Sequence, residues 1–169
     1  MKRHGGDVPK RVQEVVAVLA GLGTQYQPQQ LPRPARTAAQ AAEQLGIPVG
    51  AIANSLVFAA DHEPLLVLTS GCHRADPLTL GALLGVGDMR PATPSEVRKW
   101  THQPIGGVAP LGHPQPLRTL VDVELSQFPY VWCGAGNPRW VFCTSYAELL
   151  RITAGEAAEV GDLAPADNP

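Results

Sequence analysis

The stretch Ser55-Leu56-Val57-Phe58-Ala59-Ala60-Asp61-His62-Glu63-Pro64-Leu65-Leu66-Val67-Leu68 sets two short apolar runs on either side of a polar, turn-forming segment. The runs are nearly continuous in apolar character, the pattern of strands covered on both faces, so the stretch reads as a hairpin with a buried pair of strands. A second pair follows the same logic. Tyr130-Val131-Trp132-Cys133 and Trp140-Val141-Phe142-Cys143 flank Gly134-Ala135-Gly136-Asn137-Pro138-Arg139, and residues 118–121 supply a further strand.

Helices are marked by their starts. Val12, Val15, Val16 and Leu19 recur at helical spacing after Pro9 and predict a helix ending near Gly21. Thr37 with Gln40, Thr93 with Glu96 and Ser145 with Glu148 each have the spacing of a capping box. Asp76-Pro77 opens another helix, through Leu78, Leu80, Leu83 and Leu84 to a stop at Gly85. Hairpins mixed with helices, without steady βαβ alternation, give an α+β class built on a mixed sheet. At 169 residues the chain makes one domain, expected over residues 8–160, with flexible tails at 1–7 and 161–169.

Composition excludes several classes. A formal charge of −2 is not that of a protein coating a nucleic-acid duplex, and no DNA partner is expected. A local basic patch remains open among Arg33, Arg36, Arg74, Arg90, Arg98, Lys99, Arg118 and Arg139, as do scattered surface arginines. The longest apolar stretch, residues 15–23, is too short to cross a bilayer, and the N-terminus lacks the apolar core of a secretory signal. Three cysteines without framework spacing agree with a reducing compartment, so a cytoplasmic location is expected.

Chemistry concentrates in Pro104-Ile105-Gly106-Gly107-Val108-Ala109-Pro110-Leu111-Gly112-His113, which combines three glycines, two prolines and a histidine. Glycine allows positive φ and close backbone approach, while proline removes freedom. The loop is either a rigid turn or a holder of bare N–H groups for an oxygen that gains charge in acyl transfer. Other chemistries are weaker. Gly134-Ala135-Gly136 starts like a dinucleotide fingerprint, but Pro138 and a strand follow where a helix should begin. No metal-ligand spacing and no G-x-S-x-G elbow occur, so neither a metal nor another cofactor is expected. Cys72 beside His73 is the one candidate thiol nucleophile, and Cys133 and Cys143 read as core residues. Asp122 and Glu124 form either an acid pair or a helix start.

Five segments occur in order: Ile52-Ala53-Asn54-Ser55-Leu56-Val57-Phe58, Ser70-Gly71-Cys72-His73-Arg74-Ala75-Asp76, Gly106-Gly107-Val108-Ala109-Pro110-Leu111-Gly112-His113, Val121-Asp122-Val123-Glu124-Leu125 and Ala135-Gly136-Asn137-Pro138. Together they resemble the YbaK/ProX family of aminoacyl-tRNA editing domains over residues 36–153. The resemblance implies a curled mixed sheet, a partial barrel with surrounding helices. It implies trans hydrolysis of the ester joining a wrong amino acid, such as alanine or cysteine, to tRNA(Pro). The partners it implies are the acceptor end of aminoacyl-tRNA and prolyl-tRNA synthetase, with no membrane. Gly106, Gly107 and Asn54 are then the expected catalytic residues, and Ser55, Val108, Pro110, His113, Gly134 and Gly136 the expected substrate-binding ones. Asn54 stands where many relatives have lysine, and Gly134 where some have serine. The lost positive charge leaves open a shifted substrate preference, a weaker deacylase, or a silent module that binds tRNA or a synthetase. A small-ester hydrolase unrelated to tRNA is a third reading.

Overall fold

The computed structural model describes residues 7–24 and 26–163. Five helices, α1 (Lys10–Gly21), α2 (Ala38–Leu45), α3 (Pro77–Leu84), α4 (Pro94–Thr101) and α5 (Tyr146–Thr153), surround a mixed sheet. The strands are β1 (Gln29–Gln30), β2 (Ile52–Ala60), β3 (Glu63–Ser70), β4 (His73–Ala75), β5 (Met89–Pro91), β6 (Arg118–Asp122), β7 (Val131–Asn137), β8 (Trp140–Thr144), β9 (Glu156–Ala158) and β10 (Gly161–Leu163).

The β2–β3 hairpin is the spine of the sheet, antiparallel from Ala53↔Ser70 to Ala60↔Glu63. Asp61 (φ 48°) and His62 (φ 68°) both adopt left-handed backbone in its two-residue turn, the hand that matches strand twist. Leu66 and Leu68 pack to one side of β3, against Val12, Val15 and Leu19 of α1 and Leu149 of α5. Leu65 and Val67 pack to the other, against Leu80 of α3 and Leu120. Both faces of β3 are therefore covered, which is why its sequence is apolar without alternation. Each fully buried leucine contributes about 2 kcal/mol of transfer free energy.

The main sheet runs β1-β8-β7-β2-β3-β6-β9, with β5 added to β2. The β2–β7, β3–β6 and β6–β9 pairings are parallel and the rest antiparallel, in agreement with the α+β expectation. The helix starts occur as the sequence predicts, with differences in detail. Thr37, Thr93 and Ser145 each accept the N–H three residues on, and Asp76 accepts those of Leu78 and Thr79. Only Thr93 and Glu96 close both halves of a box. The Gln40 side chain takes the Arg36 N–H instead, and Glu148 binds Arg151 and Thr24, because stronger or nearer donors compete for them.

Two expectations are corrected. Residues 161–163, assigned to a flexible tail, form β10 against β4. Residues 164–169 and 1–6 lie outside the described residues. The second hairpin has a shorter tip than predicted, since β7 continues through Asn137 and only Pro138-Arg139 turn. That tip is stapled in place. Arg139 donates from its guanidinium to the carbonyls of Leu31 and Pro32, and the Ala35 N–H donates to Pro138 O. The segment entering α2 is thereby brought beside β7.

Candidate functional site

One edge of β2 is shared by two strands that do not meet. β7 pairs with it only at Ile52 and Ala53, and β5 only at Phe58, Ala59 and Ala60. Along residues 54–56 that edge has no strand partner, while β3 occupies the opposite edge throughout. The gap opens into a cleft of about 200 Å³, walled by Asn54, Ser55 and Leu56 on one side and Gly134, Asn137 and Pro138 on the other. Ile105, Gly106 and Val108 come from the glycine-proline loop, and Arg36 and Thr37 from the start of α2.

The loop is a turn put to use. The Gly107 N–H donates to Pro104 O at 3.0 Å, and Gly106 occupies the third position with φ +84°, the arrangement of a type II turn. Ala109 N–H donates to the buried Gln103 side chain at 2.7 Å, which fixes the far end. Among the described residues the N–H groups of Gly106 and Val108 have no acceptor. Two N–H groups thus hold the loop in place, and those of Gly106 and Val108 remain unpartnered among the described residues.

The nine expected site residues separate into those that face the cleft and those that do not. Asn54, Ser55, Gly106, Val108 and Gly134 line it. The Ser55 hydroxyl is closed off from solvent and has no hydrogen-bond partner among the described residues, an uncommon state for a buried polar group. Asn54 is exposed at the rim. Gly107 stands behind the cleft: a Cβ there would come within 2.7 Å of the Asn137 and Pro138 backbone, so its glycine serves packing. Gly136 (φ +97°) sits at the irregularity in β7 and faces the backbone of Arg11 on α1.

Pro110 and His113 line a different hollow with Val18, Leu22 and Leu117. His113 donates from Nε2 to Ala109 O at 2.9 Å, and burial lowers its pKa below the ordinary value, so it ties down the loop as a neutral ring.

Arg36 was visible only as one basic residue among several, yet it stands at the cleft with no ion-pair partner among the described residues. Trp132 and Trp140 also line the cleft, and the sequence marked them only as strand residues. Cys72 is outside it, and the cleft holds no cysteine nucleophile beyond the buried Cys133, whose thiol is pushed far up by burial. Asp122 proves to be a buried cap, accepting the N–H of Glu124 at 3.0 Å and of Ser70 at 3.0 Å.

A sequence model of the aminoacyl-tRNA editing domain matches residues 32–152. A proline-tRNA ligase of Nitratidesulfovibrio vulgaris is 34% identical over 138 residues, and one from Levilactobacillus brevis is 29% identical over 131. Each alignment takes in 75% of this chain but only 24% and 23% of the ligases, so the chain spans about a quarter of those relatives' length. A solved structure described as a candidate trans-editing enzyme for prolyl-tRNA synthetase superposes with a TM-score of 0.87 at 37% identity, covering 92% of this chain and 99% of that one. The hypothetical protein APE2540 superposes at 0.81 with 27% identity, covering 88% and 99%. No helix among the described residues is long and apolar enough to cross a membrane.

Proposed function

Because the chain belongs to the aminoacyl-tRNA editing domain family, we propose that it is a trans-acting deacylase that removes a small non-cognate amino acid, alanine or cysteine, from tRNA(Pro). The observation that carries the reading is the cleft at the open edge of β2, lined by Asn54, Ser55, Gly106 and Val108, with the Gly106 and Val108 N–H groups unpartnered among the described residues. Ligand pockets for whole drug-sized molecules run to about 300–1,000 Å³. A cleft of about 200 Å³ suits an aminoacyl group alone, with the terminal ribose and base at the rim.

In this mechanism the ester carbonyl oxygen lies against the Gly106 and Val108 N–H groups. A water adds to the carbonyl carbon, and the oxygen takes up negative charge that the two donors stabilise. The ribose oxygen then departs with the carbon–oxygen bond pair and takes a proton, leaving free amino acid and intact tRNA. One well-placed donor of this kind contributes roughly 3 kcal/mol to the barrier. An ester has a better leaving group than an amide, so positioning and charge stabilisation suffice without a protein nucleophile. Ser55 and Asn54 hold the aminoacyl end, and the Arg36 guanidinium supplies positive charge for the phosphates of the acceptor strand.

Asn54 favours one competing reading. It lacks the charge and reach of lysine, which fits a module that binds tRNA or a synthetase without turnover. Turnover by the parent protein separates the two, and Ser55→Ala tests the site within the first. Removing an unpartnered buried hydroxyl is neutral or stabilising for folding, whereas losing one hydrogen bond to substrate costs roughly tenfold in rate. The expected result is an unchanged or raised Tm with kcat/KM for deacylation down about tenfold. Unchanged turnover in that variant removes Ser55 from the site.

A further inference from the structure

Away from the cleft, the exit of β3 and the turn after β6 bring together three side chains that no spacing motif links. A donor atom from each of Cys72, His73 and Glu124 lies within 4.8 Å of the others. His73 Nδ1 is 2.8 Å from Asp122 Oδ2, and His73 Nε2 is 3.9 Å from Glu124 Oε2. Asp122 is fully buried and holds two backbone N–H groups as well, so it is a fixed acceptor. Its bond to Nδ1 places the ring proton there and turns the Nε2 lone pair toward Glu124. A histidine oriented by a carboxylate on its far nitrogen is the usual second layer of a zinc site.

We propose that Cys72, His73 and Glu124 form a binding site for a divalent, borderline-soft cation of the zinc class, with Asp122 as the positioning residue and solvent in the fourth place. Thiolate with imidazole selects zinc-type ions over magnesium or calcium, which take oxygen donors. Tetrahedral zinc with bonds of about 2.0–2.3 Å needs nitrogen and oxygen ligands roughly 3.4 Å apart. The 3.9 Å between His73 Nε2 and Glu124 Oε2 closes by a small side-chain adjustment. Glu124 is about one-third exposed and His73 partly so, which gives the ion a way in. Cys72 now shares a contact with Ser70 Oγ at 3.2 Å, and on binding it gives up its thiol proton to solvent. None of the three residues lines the deacylation cleft, so the site stands independently of the proposed activity.

The probe is Co²⁺ added to the full chain, read optically. The expected result is one equivalent bound, with a thiolate-to-cobalt charge-transfer band in the near ultraviolet, intense tetrahedral bands in the visible, and displacement of both by Zn²⁺. Cys72→Ser abolishes the charge-transfer band, while Cys143→Ser retains it. Glu124→Gln keeps the band but weakens Zn²⁺ affinity at least about tenfold, and the rise in Tm that Zn²⁺ gives the parent shrinks with it. Should Cys72→Ser fail to fold, Glu124→Gln and the Tm shift decide the matter. Absence of a charge-transfer band at saturating Co²⁺, a band that survives Cys72→Ser, or Zn²⁺ affinity indifferent to Glu124→Gln overturns the proposal.

Discussion

Adjacent glycines in the loop have different reasons for being glycine, and substitution separates them. At Gly106 the positive φ strains any other residue, but an added Cβ would meet only Arg36, at 3.7 Å or more. Gly106→Ala should therefore cost about 1 kcal/mol of stability while pulling its N–H off the carbonyl position and cutting turnover roughly a hundredfold. Gly107→Ala drives a methyl into the Asn137–Pro138 backbone. Its melt should fall further than that of Gly106→Ala, and denaturant titration of the two variants checks the order. Equal stabilities would mean that the loop and the β7–β8 tip are not packed as described. Asn54, Ser55, Gly106 and Val108, expected from the family resemblance and the loop's composition, all line the cleft. At Gly107 the close approach that demands glycine comes from a backbone thirty residues away, which no local window of sequence carries. Pro110 and His113 share the loop but line a different hollow, a matter of loop path that composition does not encode.

Elements were legible where their ends carry side-chain caps. Thr93 and Glu96 close a reciprocal box at the start of α4, and Arg90 from β5 adds two contacts to the same carboxylate, at 2.7 and 3.1 Å. The guanidinium, with the Thr93 N–H, lowers the Glu96 pKa from 4.5 to about 2. A carboxyl whose pKa is lower when folded contributes stability above its unfolded pKa and loses it as pH falls through the folded one. The stability difference between the parent and Glu96→Gln should then be widest at neutral pH and narrow between pH 4.5 and about 2, as read from urea midpoints. A difference constant with pH would contradict the Arg90 assignment. Short strands were harder to read. β1, β4, β5, β9 and β10 have two or three residues each and owe their conformation to a neighbouring strand, so no window of sequence carries a period long enough to mark them. β5 matters most among them, because its pairing ends the open edge of β2.

At the scale of the molecule, the class was readable from mixed hairpins and helices, but the cleft was not. It exists because β7 joins β2 in parallel for two residues and then departs, a long-range pairing that local pattern leaves undetermined. In the Cys72, His73 and Glu124 cluster the adjacent Cys72 and His73 were visible in sequence, but Glu124 comes from the turn after β6, some fifty residues on, and joins them only through the parallel β3–β6 pairing. What the whole fold positions is one small cleft lined by Asn54, Ser55, Gly106, Val108 and Arg36. The direct test is a panel of tRNA(Pro) charged with alanine, cysteine or proline, incubated with the pure protein and followed for loss of the acyl group, with Asn54→Lys run in parallel. Turnover of alanyl- or cysteinyl-tRNA(Pro), sparing of prolyl-tRNA(Pro), and an equal or faster rate in Asn54→Lys are predicted. Retained tRNA binding with no deacylation of any species would contradict the account and identify a silent binding module.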